Sequence, residues 1–418
     1  MKMERSGIFE ELRTRLVNDL KANGRIRTPA VEEAFRIVPR HLFLPGIDAE
    51  AAYRDQSVPT KRIGDDLVSG ASQPSVMALM LEQLELQPGQ CVLEIGAGTG
   101  YNAALIQYIV GDRGKVVTID IDDDIAAAAR QHLVTAGLGH VNVVCSDGAF
   151  GYPDAAPFDR IILTVGAWDI AAAWREQLRP DGILVLPLSV GGVELSIAFA
   201  VVNSHLESRS VEFCSFMRMR GSFAAPKTAL TLGPDGGPSL KVENADNIDP
   251  ERTYDLLTGA SSDLATWVQT TGEEAFWGLS LWLALHETGF GMLSARGEFA
   301  ERGLVPDLFS FPRGARATST VALVGDDSLA LLARGPAHSP GNRGEDRDGS
   351  FELIVRTHGT NGDAAKRLVR SVRAWDTAGH PSANDIRIRA YPKDMASVSH
   401  HDGFVMEKPS SRLVFDWT

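Results

Sequence analysis

The sequence predicts an α/β protein: a largely parallel sheet covered by helices on both faces, followed by a second, α+β domain. Three observations carry this. Strand-like runs at 91–95, 115–120, 141–145, 158–164 and 182–187 alternate with helical patterns, the order that builds a parallel sheet. A glycine cluster, Gly96-Ala97-Gly98-Thr99-Gly100, falls at the first strand-to-helix junction, where a tight turn and close ligand approach exclude a Cβ atom. The length of 418 residues suits two domains at roughly 100 to 200 residues each.

Composition agrees with a chain that buries proper cores. Hydrophobic residues are 44% and charged residues 23%, so disordered, collagen-like and disulfide-scaffold classes fall away. Lys plus Arg number 41 against 54 Asp plus Glu, a net charge of −13 that opposes default binding to nucleic acid or anionic membrane. No nucleic-acid or membrane partner is expected. Cys91, Cys145 and Cys214 lie far apart, which suggests a reducing, cytoplasmic setting. Met1 to Asn18 carries charges throughout and lacks the pattern of a secretory signal.

Along the chain, Leu12, Leu16 and Leu20 mark an amphipathic helix over 8–20, and Thr28-Pro29 opens a second with Val31, Ala34, Phe35 and Val38 on one face. The stretch from Ala52 to Pro74 reads as irregular and, at that length, functional. Helices are expected at 75–84, 102–109, 123–136 and 171–178 between the strands, with alternating runs at 195–203 and 209–217. Segment 224–250 reads as a linker. The apolar concentration from Tyr254 to Met292, with Trp267, Phe276, Trp277 and Trp282, reads as a helical core. Residues 334–350 read as a loop, 351–355 as a strand, and 363–375 as a helix with Lys366, Arg367, Arg370 and Arg373 around an apolar stripe.

The sharpest motif is Val92-Leu93-Glu94-Ile95-Gly96-Ala97-Gly98-Thr99-Gly100-Tyr101. A nicotinamide-binding fingerprint would be G-x-G-x-x-G, whereas this is G-x-G-x-G after an acid inside the strand. S-adenosylmethionine has no pyrophosphate to cradle, and its cationic ammonium and sulfonium favour nearby acceptors and carboxylates. Asp120 ends the next strand, where a carboxylate can accept from both ribose hydroxyls. Asp147-Gly148 ends the third and could address the adenine. Ligands at successive strand ends converge on one crevice in an open parallel sheet.

These pieces, with Pro39-Arg40-His41-Leu42-Phe43-Leu44-Pro45, Ala52-Tyr53-Arg54-Asp55, Ala71-Ser72-Gln73-Pro74 and Ala156-Pro157-Phe158-Asp159, make residues from roughly 25 to 220 resemble the protein-L-isoaspartate O-methyltransferase family. The resemblance implies a Rossmann-like, class I S-adenosylmethionine-dependent methyltransferase domain over 1–222. It implies a cofactor set of Ser72, Gln73, Glu94, Gly96, Ala97, Gly98, Thr99, Gly100, Tyr101, Asp120, Ile121, Asp147, Gly148 and Ala149, with S-adenosylhomocysteine as the product. Ser72 matches the family's active-site serine. The chain departs from the pattern at Gly70, where the family usually has threonine, and in a longer stretch between Pro59 and Ser72 that inserts Thr60-Lys61-Arg62 and Asp65-Asp66.

Methyl transfer from a sulfonium needs alignment above all, and an ionised carboxylate needs no strong base. The sequence accordingly offers no Cys-His nucleophile pair and no metal-binding spacing; His41, His286 and His400-His401 read as structural or surface residues. The second half, 223–418, is expected to recognise substrate, with Trp267, Trp277, Trp282, Trp375, Arg218, Arg220, Arg313 and Arg316 as its core aromatics and surface cations. With Phe216 to Gly221 at the join and Ser371 to Asp376 near the end, the arrangement resembles homologues associated with ribosomally made lanthipeptides. That implies methyl-esterification of an aspartate in a modified precursor peptide, passing through succinimide to isoaspartate. The alternatives are isoaspartate repair in damaged proteins and a regulatory protein that binds the cofactor without turnover.

Overall fold

Apolar residues at four-residue spacing build the first helices. The computed structural model describes residues 2–64, 66–246, 248–309, 317–335, 349–395 and 403–418. In it, α1 (Lys2–Ala22) buries Leu12, Leu16 and Leu20 against α2 (Pro29–Ile37), whose inner face is Val31, Ala34 and Phe35. A single turn, α3 (Ala49–Ala52), is capped by the Asp48 carboxylate. The stretch expected to be irregular contains a hairpin instead: β1 (Val58–Ile63) pairs antiparallel with β2 (Asp66–Ala71), with Gly64 at φ +59° in the turn. The residues of β1 are mostly exposed, so the apolar alternation that announces a strand is missing there.

The regular part follows as α4 (Pro74–Leu84), β3 (Cys91–Ile95), α5 (Tyr101–Val110), β4 (Lys115–Asp120), α6 (Asp123–Thr135), β5 (Asn142–Cys145), β6 (Phe158–Leu163), α7 (Ala172–Glu176), β7 (Leu178–Val190), β8 (Val193–Val202) and β9 (His205–Phe213). β3 pairs in parallel with both β4 and β6, so the chain reverses its direction of strand addition there. Open sheets bind ligands at such a switch point, beyond the carboxyl ends of the strands. Val92, Leu93, Ile161 and Ile162 are almost wholly buried, as a sheet covered on both faces requires.

The second half is richer in strands than its sequence suggests. It contains β10 (Ala229–Thr231), β11 (Ser239–Val242), α8 (Pro250–Thr258), β12 (Ser261–Thr271), α9 (Gly272–Glu274), α10 (Ser280–His286), β13 (Phe290–Arg296), α11 (Gly297–Glu301), β14 (Ala317–Val324), β15 (Ser328–Arg334), β16 (Ser350–Gly359), α12 (Asp363–Thr377), β17 (Ile386–Pro392), β18 (Phe404–Glu407) and β19 (Ser411–Trp417). The expected linker supplies β10 and β11, and the expected helical core from Tyr254 to Met292 includes β12 and the start of β13. Two things hide β12. Its inward positions are Thr266, Val268 and Thr270, all buried but mostly polar, and its first four residues are exposed in a row, while a bulge between Ala265 and Val268 interrupts its pairing with β16. At that bulge Trp267 takes φ +63° and stands 76% exposed, so it is no core residue. Trp375, on α12, is fully buried, as expected.

Seven of these strands form their own sheet, in the order β10-β11-β13-β14-β15-β16-β12. The last three cross back over the boundary expected at residue 222, since β17 pairs with β9 and carries β19 and β18 outward. The sheet of the first half thereby reaches ten strands, β18-β19-β17-β9-β8-β7-β6-β3-β4-β5. One face packs on α1, α2, α4, α5 and α6, and the other shares a continuous apolar core with the second half. Buried Asp169 accepts from the Ser410 amide and the Ser411 hydroxyl, tying the β18–β19 turn to the first half. Arg313, Arg316, His400, His401, Asp65 and most of the 334–350 stretch lie outside the described residues. Among the described residues no helix is long and apolar enough to cross a membrane.

Candidate active site

The glycine loop after β3 is fixed by its own backbone bonds. Gly96 and Ala97 both donate to the Ile119 carbonyl at 2.8 and 2.9 Å. The Thr164 hydroxyl donates to the Gly96 carbonyl at 2.6 Å. Gly96 has φ +106°, and a Cβ there would stand 2.5 Å from the Thr164 hydroxyl oxygen, so only glycine fits. Gly98, at φ +50°, faces across to the Gly70 carbonyl of the hairpin. That places Gly70 in the cleft wall. A Cβ at 70 would approach the Val58 carbonyl to 3.0 Å, which accounts for glycine where the family pattern has threonine: the β1–β2 pairing leaves little room.

The cleft over this loop is lined by Ser69 to Ser72 of the hairpin, Gly96 to Thr99, Tyr101, Asn102, Asp120, Ile121, Gly148, Thr164 and the strap Met217 to Arg220. Of the residues expected from sequence, Ser72, Gly96, Ala97, Gly98, Thr99, Tyr101, Asp120, Ile121 and Gly148 therefore come together. Gln73 lines an adjoining groove with Ser57, Pro59, Val76, Ser215 and Phe216. Glu94, Gly100, Asp147 and Ala149 do not line the cleft.

Asp120 is the carboxylate that faces the cleft. It accepts from the Gly98 amide at 3.0 Å and the Asp122 amide at 3.3 Å. Burial raises its pKa against the opposing pull of those amides. The other two acids are engaged by other partners. Glu94 is fully buried and accepts from the Asn102 side-chain amide at 2.7 Å and the Thr118 hydroxyl at 2.5 Å. Asp147 takes the Ser222 amide and hydroxyl, both at 2.7 Å, and the Ala149 amide at 3.0 Å. Burial pushes the Asp147 pKa upward, but those bonds outweigh it and hold the carboxyl below its usual value. Glu94 thus braces the start of α5 against β4, and Asp147 fastens the end of the strap.

Glu94 carries a pH signature. Burial pushes its pKa up to about 7, although Thr118 and Asn102 favour the charged form. The folded carboxyl keeps its proton where the unfolded one, near 4.5, has lost it. Its contribution to stability is full below pH 4.5 and lost as the pH rises through 7. Between pH 5 and 8 the wild type should lose roughly 3 kcal/mol relative to Glu94→Gln. Denaturant midpoints of both proteins at the two pH values measure it; parallel pH profiles would remove Glu94 as the source.

Several supporting residues have no motif of their own. Arg40 is wholly buried, and its guanidinium donates to the Ser72 carbonyl at 2.9 Å and the Ala52 carbonyl at 3.0 Å while lying over the Tyr101 ring. Asp55 accepts from the Ser75 amide and the Gln73 side chain. Asp122 joins Lys61 of the hairpin to Arg220 of the strap, at 3.2 and 2.9 Å. The signal was partly present, since Arg40 and Asp55 sit inside the quoted motifs and Lys61 inside the insertion. His41 is structural: it stacks on Phe9 and bonds the Tyr53 hydroxyl at 2.8 Å. Among the described residues no group of three His, Cys, Asp or Glu is placed to hold a metal ion.

The family model for protein-L-isoaspartate(D-aspartate) O-methyltransferase (PCMT) matches residues 11–220. Protein-L-isoaspartate O-methyltransferase of Methanopyrus kandleri is 38% identical over 216 residues, 51% of this chain and 93% of that protein. That of Ignicoccus hospitalis is 40% identical over 180 residues, 43% of this chain and 83% of that protein. A solved structure of a protein-L-isoaspartate O-methyltransferase aligns at 21% identity with a TM-score of 0.49, over 90% of this chain and 96% of that one. With its model spanning half of the sequence, the chain belongs to the protein-L-isoaspartate(D-aspartate) O-methyltransferase family of S-adenosylmethionine-dependent carboxyl methyltransferases.

Proposed function

We propose that the chain transfers a methyl group from S-adenosylmethionine to the free carboxylate of an isoaspartyl residue in a protein or peptide, with residues 1–222 supplying the chemistry. The observation that carries this is the meeting of two recesses. The cofactor-type cleft and the adjoining groove share Gly70, Ala71, Ser72, Thr164 and Met217, so a donor in one and an acceptor in the other meet beside Ser72.

The residues present fit the cofactor. Glycines at 96 and 98 let backbone close on it, Asp120 offers a carboxylate to a diol, and Ile119, Ile121 and Met219 give an apolar wall for a flat ring. Bound there, it supplies a methyl group on a positively charged sulfur that leaves as a neutral thioether. The protein's task is then positioning, which can contribute about 7 to 11 kcal/mol to lowering a barrier. Ser72 orients the acceptor carboxylate, with its backbone held by Arg40. The hairpin and strap, joined through Asp122, cover the site from water.

Incubation with S-adenosylmethionine and an isoaspartyl peptide, read by mass spectrometry, tests the reading. A gain of one methyl supports it, and no gain under conditions where cofactor binds sinks it. Ser72→Ala should keep cofactor affinity and lower kcat about tenfold to a hundredfold, the loss of one positioning hydrogen bond to a charged group. Unchanged turnover would remove Ser72 from the mechanism.

A second reading is favoured by one feature, the large second half that shares a core with the catalytic sheet. In this reading residues 223–418 recognise a ribosomally made, modified precursor peptide, and methylation of an ordinary aspartate leads through succinimide to isoaspartate. A cyclised precursor containing aspartate, run beside the isoaspartyl peptide, separates the two: methyl gain or loss of water on the precursor alone selects the biosynthetic role.

A further inference from the structure

The groove beside the cofactor-type cleft divides into a shared part and a part of its own. Gly70, Ala71, Ser72, Thr164 and Met217 belong to both recesses. What the groove has for itself is chiefly apolar: Val58, Pro59, Leu67, Val76 and Phe216, with three uncharged polar residues, Ser57, Gln73 and Ser215. Among the described residues no charged side chain lines it. Its space is about 400 Å³, near the lower end of the roughly 300 to 1,000 Å³ of ligand sites, so it takes a short piece of chain.

The walls are held in place without a substrate. Val58, Val76 and Phe216 are half-buried, each resting on the apolar core of the first half and leaving part of its surface open. Leu67 is 37% exposed. The Phe216 amide donates to the Glu194 carboxylate at 3.0 Å, which fixes the strap side. On the opposite side the Lys61 ammonium lies 3.2 Å from Asp122 and 2.7 Å from Asp124, and the Thr60 hydroxyl donates to the Ser69 hydroxyl at 3.0 Å, which together fix the hairpin. Nearby charges are already engaged, Arg220 by Asp122 and Asp55 by the Ser75 amide and the Gln73 side chain. A charged substrate side chain in this groove would give up water and meet no counter-ion, which costs free energy. An apolar one would gain by covering the open apolar surface. Selection then comes as much from what the groove rejects as from what it attracts.

We infer that this groove selects an uncharged, apolar residue next to the methylated residue of the substrate, with Val58, Leu67, Val76 and Phe216 as the specificity-determining side chains. The two recesses meet at Ser72, so an acceptor carboxylate placed there leaves an adjoining residue of the same peptide over the groove's own, apolar part. Leu67 stands within the stretch by which this chain departs from the family pattern, and that makes the preference a property of this chain. The inference rests on the peptide methyltransferase reading and narrows its substrate.

The test uses the full chain and matched isoaspartyl peptides with Leu, Ala, Lys or Glu on one side of the isoaspartyl residue and then on the other. On one of the two sides, wild-type kcat/KM should be about tenfold to a hundredfold higher for Leu than for Lys or Glu, the effect of burying one such side chain. The difference should lie mainly in KM, and high salt should leave it unchanged, unlike an effect of surface charge. Leu67→Glu should reverse the order of Leu and Lys, and Phe216→Ala should cut the advantage of Leu over Ala to about threefold or less. Fluorescence anisotropy of labelled peptides with S-adenosylhomocysteine present reads the groove independently of methyl transfer. A Leu preference in binding that Leu67→Glu loses supports the groove's role even if nothing is methylated, in which case the catalytic reading alone fails. Methylation as fast with Lys or Glu as with Leu on both sides, or a Leu preference that both variants retain, overturns that role and leaves the catalytic reading standing.

Discussion

Asp120→Ala is expected to weaken S-adenosylmethionine binding by two orders of magnitude or more. Each hydrogen bond to a charged acceptor contributes about 1.5 to 3 kcal/mol, and a carboxylate that takes both hydroxyls of a ribose makes two. Asp120 is placed for this because its backbone ends β4 at the switch point and its side chain is already oriented by the amides of Gly98 and Asp122. The same bond fixes Gly98, so removing the carboxylate also loosens the loop that must approach the ligand. Asp120→Asn keeps one acceptor and should fall between the two. Because burial raises the Asp120 pKa, affinity should climb with pH through a titration lying above that of an ordinary aspartate, and that step should vanish in Asp120→Asn. Isothermal titration calorimetry measures both effects; an alanine variant within threefold of wild type would show that the cofactor is held elsewhere.

The parallel part of the ten-stranded sheet, β3 to β7, was legible because its strands are apolar runs set between helices and turns, and a parallel sheet with two covered faces leaves that imprint; β17, β18 and β19, which extend it from the far end of the chain, were not read. Turn chemistry marked the glycine loop, since positions 96, 98 and 100 all have positive φ. The second sheet was not legible. β12 presents Thr266 and Thr270 inward and is broken by the bulge at Trp267, and β10 and β11 are too short to show a period. In the site, residue type and spacing could locate three acids at strand ends but not say which way each points. That depends on the donors around them: Asn102 and Thr118 turn Glu94 inward, and Ser222 draws Asp147 to the strap. Such partners come from other elements, and local sequence does not reveal them. The hairpin escaped notice because its exposed residues carry no burial pattern, although Lys61 within it ties it to Asp122 beside the cleft.

Arg40→Ala should be the most damaging single change outside the cofactor contacts, costing about 3 to 5 kcal/mol of stability. Arg40 is wholly buried, and among the described residues no salt bridge supports it. Its guanidinium instead serves the carbonyls of Ala52 and Ser72, touches the Met77 sulfur and lies 5.0 Å from the Tyr101 ring centroid. Burial lowers its pKa, opposed by the surrounding Tyr101, Tyr53 and Asp55, yet the group stays charged because arginine does not deprotonate in proteins. Truncation strands two buried carbonyls and opens a cavity. It leaves no unpaired opposite charge behind, so Arg40→Met, which refills the space, should recover part of the loss. Arg40→Lys should not, because one ammonium cannot reproduce a planar fork that reaches two carbonyls. The two consequences separate experimentally. Stability, read from denaturant midpoints, should rank wild type above Met and Met above Ala. Turnover at a temperature where all are folded should drop in all three variants, since each releases the Ser72 backbone that the guanidinium holds. A Met variant with wild-type kcat would mean that Arg40 supports the fold alone and that α4 and the hairpin set the Ser72 corner without it.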